Sequence, residues 1–273
     1  MNRTFNTPEA VELYVELGSG QIATDAIETD QTTVAITGPR ADEFAVEQNG
    51  DQIKVTPPKS RVGFLHGNDS HEVKVSLPTG SGLTAKAGSA DTVATGSYGV
   101  IRLKTGSGDV EIEEAEGPVV IDSGSGDVRG HQIRGEVRIK SGSGDIDLGE
   151  VHGPAGISTG SGDVLIGRAH ASTVVKTGSG DLEVKRAEND VTFAAGSGDL
   201  VVGNARKGSI TAKSASGDVR VGICVGTPVW TDITSVTGRV TSQLQSTGKP
   251  AEGQDYVEVR ATTVSGDIYL EQI

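Results

Sequence analysis

The chain has 273 residues, a net charge of −13, only 3% aromatic residues and 39 glycines. Glycine at about 14% is twice the usual ~7%, yet with nine prolines and no Gly-X-Y period the chain is not collagen. Abundant Val, Ile and Thr exclude disorder, and the acidity opposes binding to nucleic-acid phosphates or anionic lipid.

Residues 1–82 alternate apolar and polar without a fixed long period: Val11, Leu13, Val15 and Leu17; Val34 and Ile36; Ile53 and Val55; Val73, Val75 and Leu77. A period of two is the mark of a half-buried strand. An antiparallel β region that caps the rest is therefore expected. Residues 58–71, with Pro58, Gly63, Gly67, Asn68 and Asp69, read as a flexible loop that includes or adjoins His66 and His71. The opening residues Met1-Asn2-Arg3-Thr4-Phe5-Asn6 carry no apolar leader, and Glu9 follows early. No run reaches the ~18 apolar residues of a membrane span. A cytoplasmic protein without membrane insertion is the expectation.

Residues 83–223 are a repeat. Gly-Ser-Gly-Asp recurs at 106–109, 124–127, 142–145, 160–163, 178–181 and 196–199, a period of 18 without a slip. A degraded copy, Gly88-Ser89-Ala90-Asp91, precedes the series, and Ala215-Ser216-Gly217-Asp218 follows after 19 residues, which places an insertion near Gly208. Aligned by period, Val110, Val128, Ile146, Val164, Leu182 and Leu200 form an apolar column, as do Ile121, Ile139, Ile157, Val175 and Phe193. Ala115, Ile133, Val151, Ala169, Ala187 and Ala205 form a third column expected to face inward at a bend. Each unit thus carries two short strands and two turns. One unit has almost no core of its own, so the units must stack as a solenoid. General handedness preferences favour a right-handed winding. The turn glycines, Gly144 among them, are expected at positive φ, which glycine adopts without steric cost, and they let successive backbones approach closely.

Residues 224–273 contain the single Trp230 and strand-like runs at Val257-Glu258-Val259 and Ile268-Tyr269-Leu270. They read as a second antiparallel β cap, with Trp230 in its core. Cys224, the only cysteine, excludes an internal disulfide and reads as a small buried apolar residue.

Stacking turns columns into candidate sites. Asp109, Asp127, Asp145, Asp163, Asp181 and Asp199 form a ladder that is a weak candidate for cation binding. Calcium wants six to eight oxygens, so the preferred reading is that each aspartate accepts hydrogen bonds from turn N–H groups. Glu116, Arg134, His152, His170, Glu188 and Arg206 make a mixed-charge column able to pair along the stack. His152 and His170 become neighbours, and two imidazoles suit zinc or pH sensing. Structural zinc takes four ligands and Cys224 is remote, so exposed turn residues are preferred. No catalytic constellation stands out. The serines recur identically, Glu113-Glu114 lies in an exposed turn, and neither a nucleophile elbow nor a phosphate loop is present. No catalytic residue and no cofactor is expected.

The Gly-Ser-Gly-Asp-Val repeats, the run Thr263-Val264-Ser265-Gly266-Asp267-Ile268, and Gly226-Thr227-Pro228-Val229-Trp230-Thr231-Asp232 followed by Ser235-Val236-Thr237-Gly238 resemble the bacterial β-strand-repeat "putative adhesin" family of domains of unknown function, actinobacterial members in particular. The resemblance covers nearly the whole chain. It implies a parallel β-solenoid without established catalytic residues, and relatives linked to cell-envelope stress.

The expectation is an all-β parallel β-solenoid of 18-residue coils with antiparallel β caps at both ends. Residues 1–82, 83–223 and 224–273 would be cap, repeats and cap of one continuous domain. Functionally, a non-enzymatic scaffold or interaction module with a protein partner is expected. A self-associating, end-to-end polymerising structural protein is the alternative. An enzyme acting on polysaccharide ranks third.

Overall fold

The computed structural model describes residues 1–58, 70–244 and 253–273. The described residues are all-β apart from a 3-10 turn at Ala41–Glu43, and the chain forms two compact units, Met1–Gly135 and Glu136–Ile273. Both carry the parallel coils of a β-solenoid. Most of the expected loop falls on residues 59–69, His66 included, outside the described residues; His71 opens strand His71–Pro78.

In the second unit each coil supplies two strands, and each strand pairs in parallel with its equivalent one coil on. Val137 stands opposite Ala155, Ile146 opposite Val164 and Leu182 opposite Leu200, all offsets of 18. Strand alternation then puts the apolar columns inside. Ile139, Ile157, Val175 and Phe193 are buried, as are Ile146, Val164, Leu182 and Leu200. The small bend column Val151, Ala169, Ala187 and Ala205 is buried too. Each fully buried Val, Leu or Ile contributes about 1.5–3 kcal/mol relative to exposure. Coil after coil of these thin layers replaces the aromatic core that the composition lacks. The inserted residue lies where expected: Ala187 still faces Ala205, whereas Val191 faces Ile210, and Gly208 between them has φ 95°.

The C-terminal segment departs from expectation in two ways. Among the described residues its pairings are all parallel, in place of the expected antiparallel cap. Strand Val257–Ser265 pairs with Gly208–Ser216 on one side and Val229–Ser235 on the other. Strand Ile268–Gln272 likewise lies between Val219–Ile223 and Val240–Ser242. The end of the chain is therefore inserted between the coil before it and the coil at 229–242. Insertion buries Val257, Val259, Ile268 and Leu270 on two sides, and leaves the outer strand Val229–Ser235 carrying Trp230, which is 50% exposed rather than core.

The first unit is mixed. Antiparallel pairs join Asn2–Asn6 to Gln31–Thr37, Gln31–Thr37 to His71–Pro78, and Ala45–Asn49 to Gln52–Thr56. Those pairs match the expected cap. The long strand Glu12–Ile27 does not: it runs parallel to Gly82–Tyr98 from Glu12↔Gly82 to Ala26↔Gly96. It is a complete coil that precedes the repeats. Gly18-Ser19-Gly20-Gln21 faces Gly88-Ser89-Ala90-Asp91, with Ser19 opposite Ser89 and Gln21 opposite Asp91. Tyr98, fully buried, donates its hydroxyl to Thr24 Oγ1 at 2.7 Å across these strands. Among the described residues no helix is long and apolar enough to cross a membrane.

Candidate functional site

Within each unit the Gly-Ser-Gly-Asp turns stack directly on one another, and their chemistry is local. A Ser or Thr closes five of the six turns on themselves: Gly162 N–H donates to Thr159 Oγ1 at 3.0 Å and Gly180 N–H to Thr177 Oγ1 at 2.8 Å, for example. At 196–199 Ala195 holds that place, and Ser214 Oγ of the next coil donates to the Gly198 carbonyl. The glycines are not at positive φ in any of the six repeats, Gly144 included, so that expectation is corrected. They are required by close approach. A Cβ at Gly162 would stand 2.0 Å from the Gly144 carbonyl oxygen, and one at Gly180 2.1 Å from that of Gly162.

The aspartates are the rungs between turns. In the first unit Asp109 N–H donates to Asp91 Oδ1, and Asp127 N–H to Asp109 Oδ1, both at 2.9 Å. In the second, Asp163, Asp181, Asp199 and Asp218 each donate their N–H to Oδ1 of the aspartate one coil before, at 2.7–2.9 Å. The ladder continues in stacking order rather than chain order: Asp267 N–H binds Asp218 Oδ1, and Arg239 N–H binds Asp267 Oδ1, both at 2.7 Å. The N–H of Arg239, then the Tyr269 hydroxyl, hold the Asp267 carboxyl below its ordinary value. Each Oδ1 in these rungs is thus an acceptor that satisfies a turn N–H no strand could reach.

The opposite bend carries the mixed-charge column. In the first unit Arg134 pairs with Glu114 and Glu116. In the second, His152 and His170 stack face to face, centroids 4.3 Å apart and planes within 6°. His170 Nδ1 contacts Glu188 Oε2 at 2.9 Å, His152 Nε2 lies 3.7 Å from Glu150 Oε2, and Arg168 approaches Glu150 Oε1 at 3.4 Å. Column position alone predicted the meeting of the two histidines. Glu150 was missed because it belongs to a strand end two residues earlier, yet its side chain shares the bend. Donor atoms of Glu150, His152 and His170 lie within 4.8 Å of one another. Cys224 is only partly buried, and its thiol donates to Asn204 Oδ1 at 3.1 Å.

The outward rows of the second unit's other face are basic. Strand pairing aligns Lys140 with Ser158, Ser158 with Lys176, Lys176 with Ala194 and Ala194 with Lys213. The neighbouring row runs Arg138, Gly156, Val174, Thr192, Thr211. Over these coils neither row contains an acidic residue, in a chain of net charge −13; beyond Thr211 the second row continues to Arg260 and then Asp232.

Comparisons with known proteins give a family. No curated protein matches the sequence. Among solved structures, similarity is found to a "putative lipid binding protein" from Parabacteroides distasonis, at 16% identity over 99% of this chain and 96% of that one, TM-score 0.46. A "putative adhesin" from Parabacteroides merdae is similar at 11% identity over 100% and 95%, TM-score 0.46. Another from Bacteroides fragilis is similar at 11% over 99% and 96%, TM-score 0.39. The family model described as Toastrack DUF4097, a domain of unknown function, matches residues 11–271, so this chain, from its first coil to its inserted last one, belongs to the Toastrack DUF4097 family.

Proposed function

We propose that this protein is a non-enzymatic, adhesin-like interaction module that presents a flat, rigid sheet face to an acidic protein partner. The observation that carries the reading is the basic face of the second unit. Lys140, Lys176 and Lys213 recur at every second coil, so their stems rise about 10 Å apart at the ~4.8 Å strand spacing. Small residues, Gly156, Ser158 and Ala194, separate them. Such a face steers and orients an acidic partner by electrostatic complementarity. Two carboxylates of the unit's open groove are occupied in ways that support a non-catalytic reading. An open groove of about 390 Å³ is lined by Asp190, Asp255, Tyr256 and Glu258. There Asp190 Oδ1 accepts from Ser209 N–H at 2.8 Å, and Glu258 holds Arg260 at 2.7 Å. A link to cell-envelope stress rests on the family resemblance alone.

The test is a triple charge reversal, Lys140→Glu, Lys176→Glu and Lys213→Glu. The variant should fold with an unchanged Tm yet lose the acidic proteins cross-linked to the wild-type chain in its native host. An identical cross-linked set would overturn the proposal. Filaments in negative stain of the purified wild type would support end-to-end self-assembly instead.

A further inference from the structure

We infer that Glu150, His152 and His170 form a binding site for one divalent transition-metal ion of the zinc type, with Glu188 orienting His170 from outside the coordination sphere. The argument starts from protons. The Glu188 carboxylate can only accept, so the contact at 2.9 Å places a proton on His170 Nδ1. In the neutral ring Nε2 is then left with its lone pair. That Nε2 is shielded from solvent and has no hydrogen-bond partner, and the same holds for Nε2 of His152. Two orphaned ring nitrogens side by side are costly unless something accepts their lone pairs. A metal ion does.

Distances and donor chemistry point the same way. The 3.7 Å between His152 Nε2 and Glu150 Oε2 is too long for a hydrogen bond. It suits two ligands of one ion, because tetrahedral donors with bonds of about 2.0–2.2 Å stand roughly 3.4 Å apart. Two imidazoles and one carboxylate favour zinc-type ions over calcium or magnesium, which take oxygen. Three protein ligands leave a fourth position for water. The Glu188–His170 contact is the carboxylate–histidine pair that fixes the tautomer of metal-bound histidine. The stacked rings must each turn about their Cβ–Cγ bonds to converge, and Arg168, at Glu150 Oε1, moderates the affinity through its charge.

Calorimetry of the full chain with zinc chloride tests this, with calcium chloride as the comparison ion. One equivalent of zinc should bind and raise Tm, while calcium should do neither. His152→Ala and His170→Ala should each weaken zinc binding at least tenfold, and Glu188→Gln by about 10–100-fold. His131→Ala, at an exposed histidine of strand Val128–Ile133, should leave it unchanged. Circular dichroism and Tm without metal establish that the variants fold. Cobalt(II) should give tetrahedral visible bands with wild type and lose them in the double variant His152→Ala/His170→Ala. Equal zinc binding by wild type and a folded double variant, or no stoichiometric binding by wild type, would overturn the inference.

Discussion

Two regions of the second unit use the same coil and obey different ordering rules. From residue 137 to 205, chain order and stacking order coincide, and every register offset is 18. From 208 onward they diverge: the last strands of the chain slot in before the strands at 229–242. The turn chemistry is unchanged across the divergence. Gly266 approaches the Gly217 carbonyl as Gly162 approaches that of Gly144, and the aspartate rungs pass from Asp218 to Asp267 and then to the N–H of Arg239. A coil is thus recognised by its neighbour through turn and strand pattern, not through connectivity.

Deleting a coil from each region should have opposite consequences. Removing residues 254–273 strips Val257, Val259, Ile268 and Leu270 from between two coils. At about 1.5–3 kcal/mol per side chain, the loss for these four is about 6–12 kcal/mol. Hydrogen exchange should then show 229–242 unprotected and the 208–223 strands weakened. Removing residues 146–163, one whole period, should close the stack in register and keep cooperative melting, since only nearest-neighbour contacts are exchanged. Equal damage from both deletions would refute the modular reading.

Glycines give the next largest effect. Gly162→Val drives a side chain into the Gly144 carbonyl and should cost about 3 kcal/mol or more in denaturant melts. Gly156→Ala is its counterpart. The nearest atom to a Cβ there is 4.0 Å away and φ is not positive, so a gain of roughly 0.4–1 kcal/mol is expected. Destabilisation by Gly156→Ala would show that strand glycines, too, are packing positions.

A single rung is worth less. Asp181→Ala leaves the Asp199 N–H without its acceptor and should cost about 1 kcal/mol, with faster exchange of that amide. Asp181→Asn keeps an oxygen and should recover most of it.

The smallest effect is acid-dependent. The Asp267 carboxyl is held low in the folded state, first by the Arg239 N–H and then by the Tyr269 hydroxyl. Its contribution is therefore complete above the unfolded value, near 3.9, and fades as pH falls through the lower folded one. Asp267→Asn should slightly flatten the loss of Tm between neutral pH and pH 3. An unaltered acid limb would assign that loss to other groups.

Much of this was legible in the residues, and for a physical reason. An 18-residue period with two-residue alternation leaves one way to bury Val110, Ile112 and their equivalents, so the solenoid and its inward columns follow. The aspartate ladder followed from the same period. Its acceptor role was expected; its exact partner, the N–H of the next aspartate, depends on how closely the turns stack. The first coil escaped notice because 70 residues separate Gly18 from Gly88, and 70 is no multiple of 18. Its Gly-Ser-Gly was the available signal. The histidine pair was legible by column, whereas Glu150 entered only through side-chain direction at the bend.

Periodicity is a local property, written wherever every copy faces the same neighbours, and so the residues alone determine coil length, the inside of each strand and the turn type. Which strand covers which edge is a competition among all strands for unpaired N–H groups and for burial. That competition is settled in three dimensions. It set the parallel C-terminal insertion where an antiparallel cap was expected, left Trp230 half exposed, and made close approach rather than positive φ the reason for the glycines.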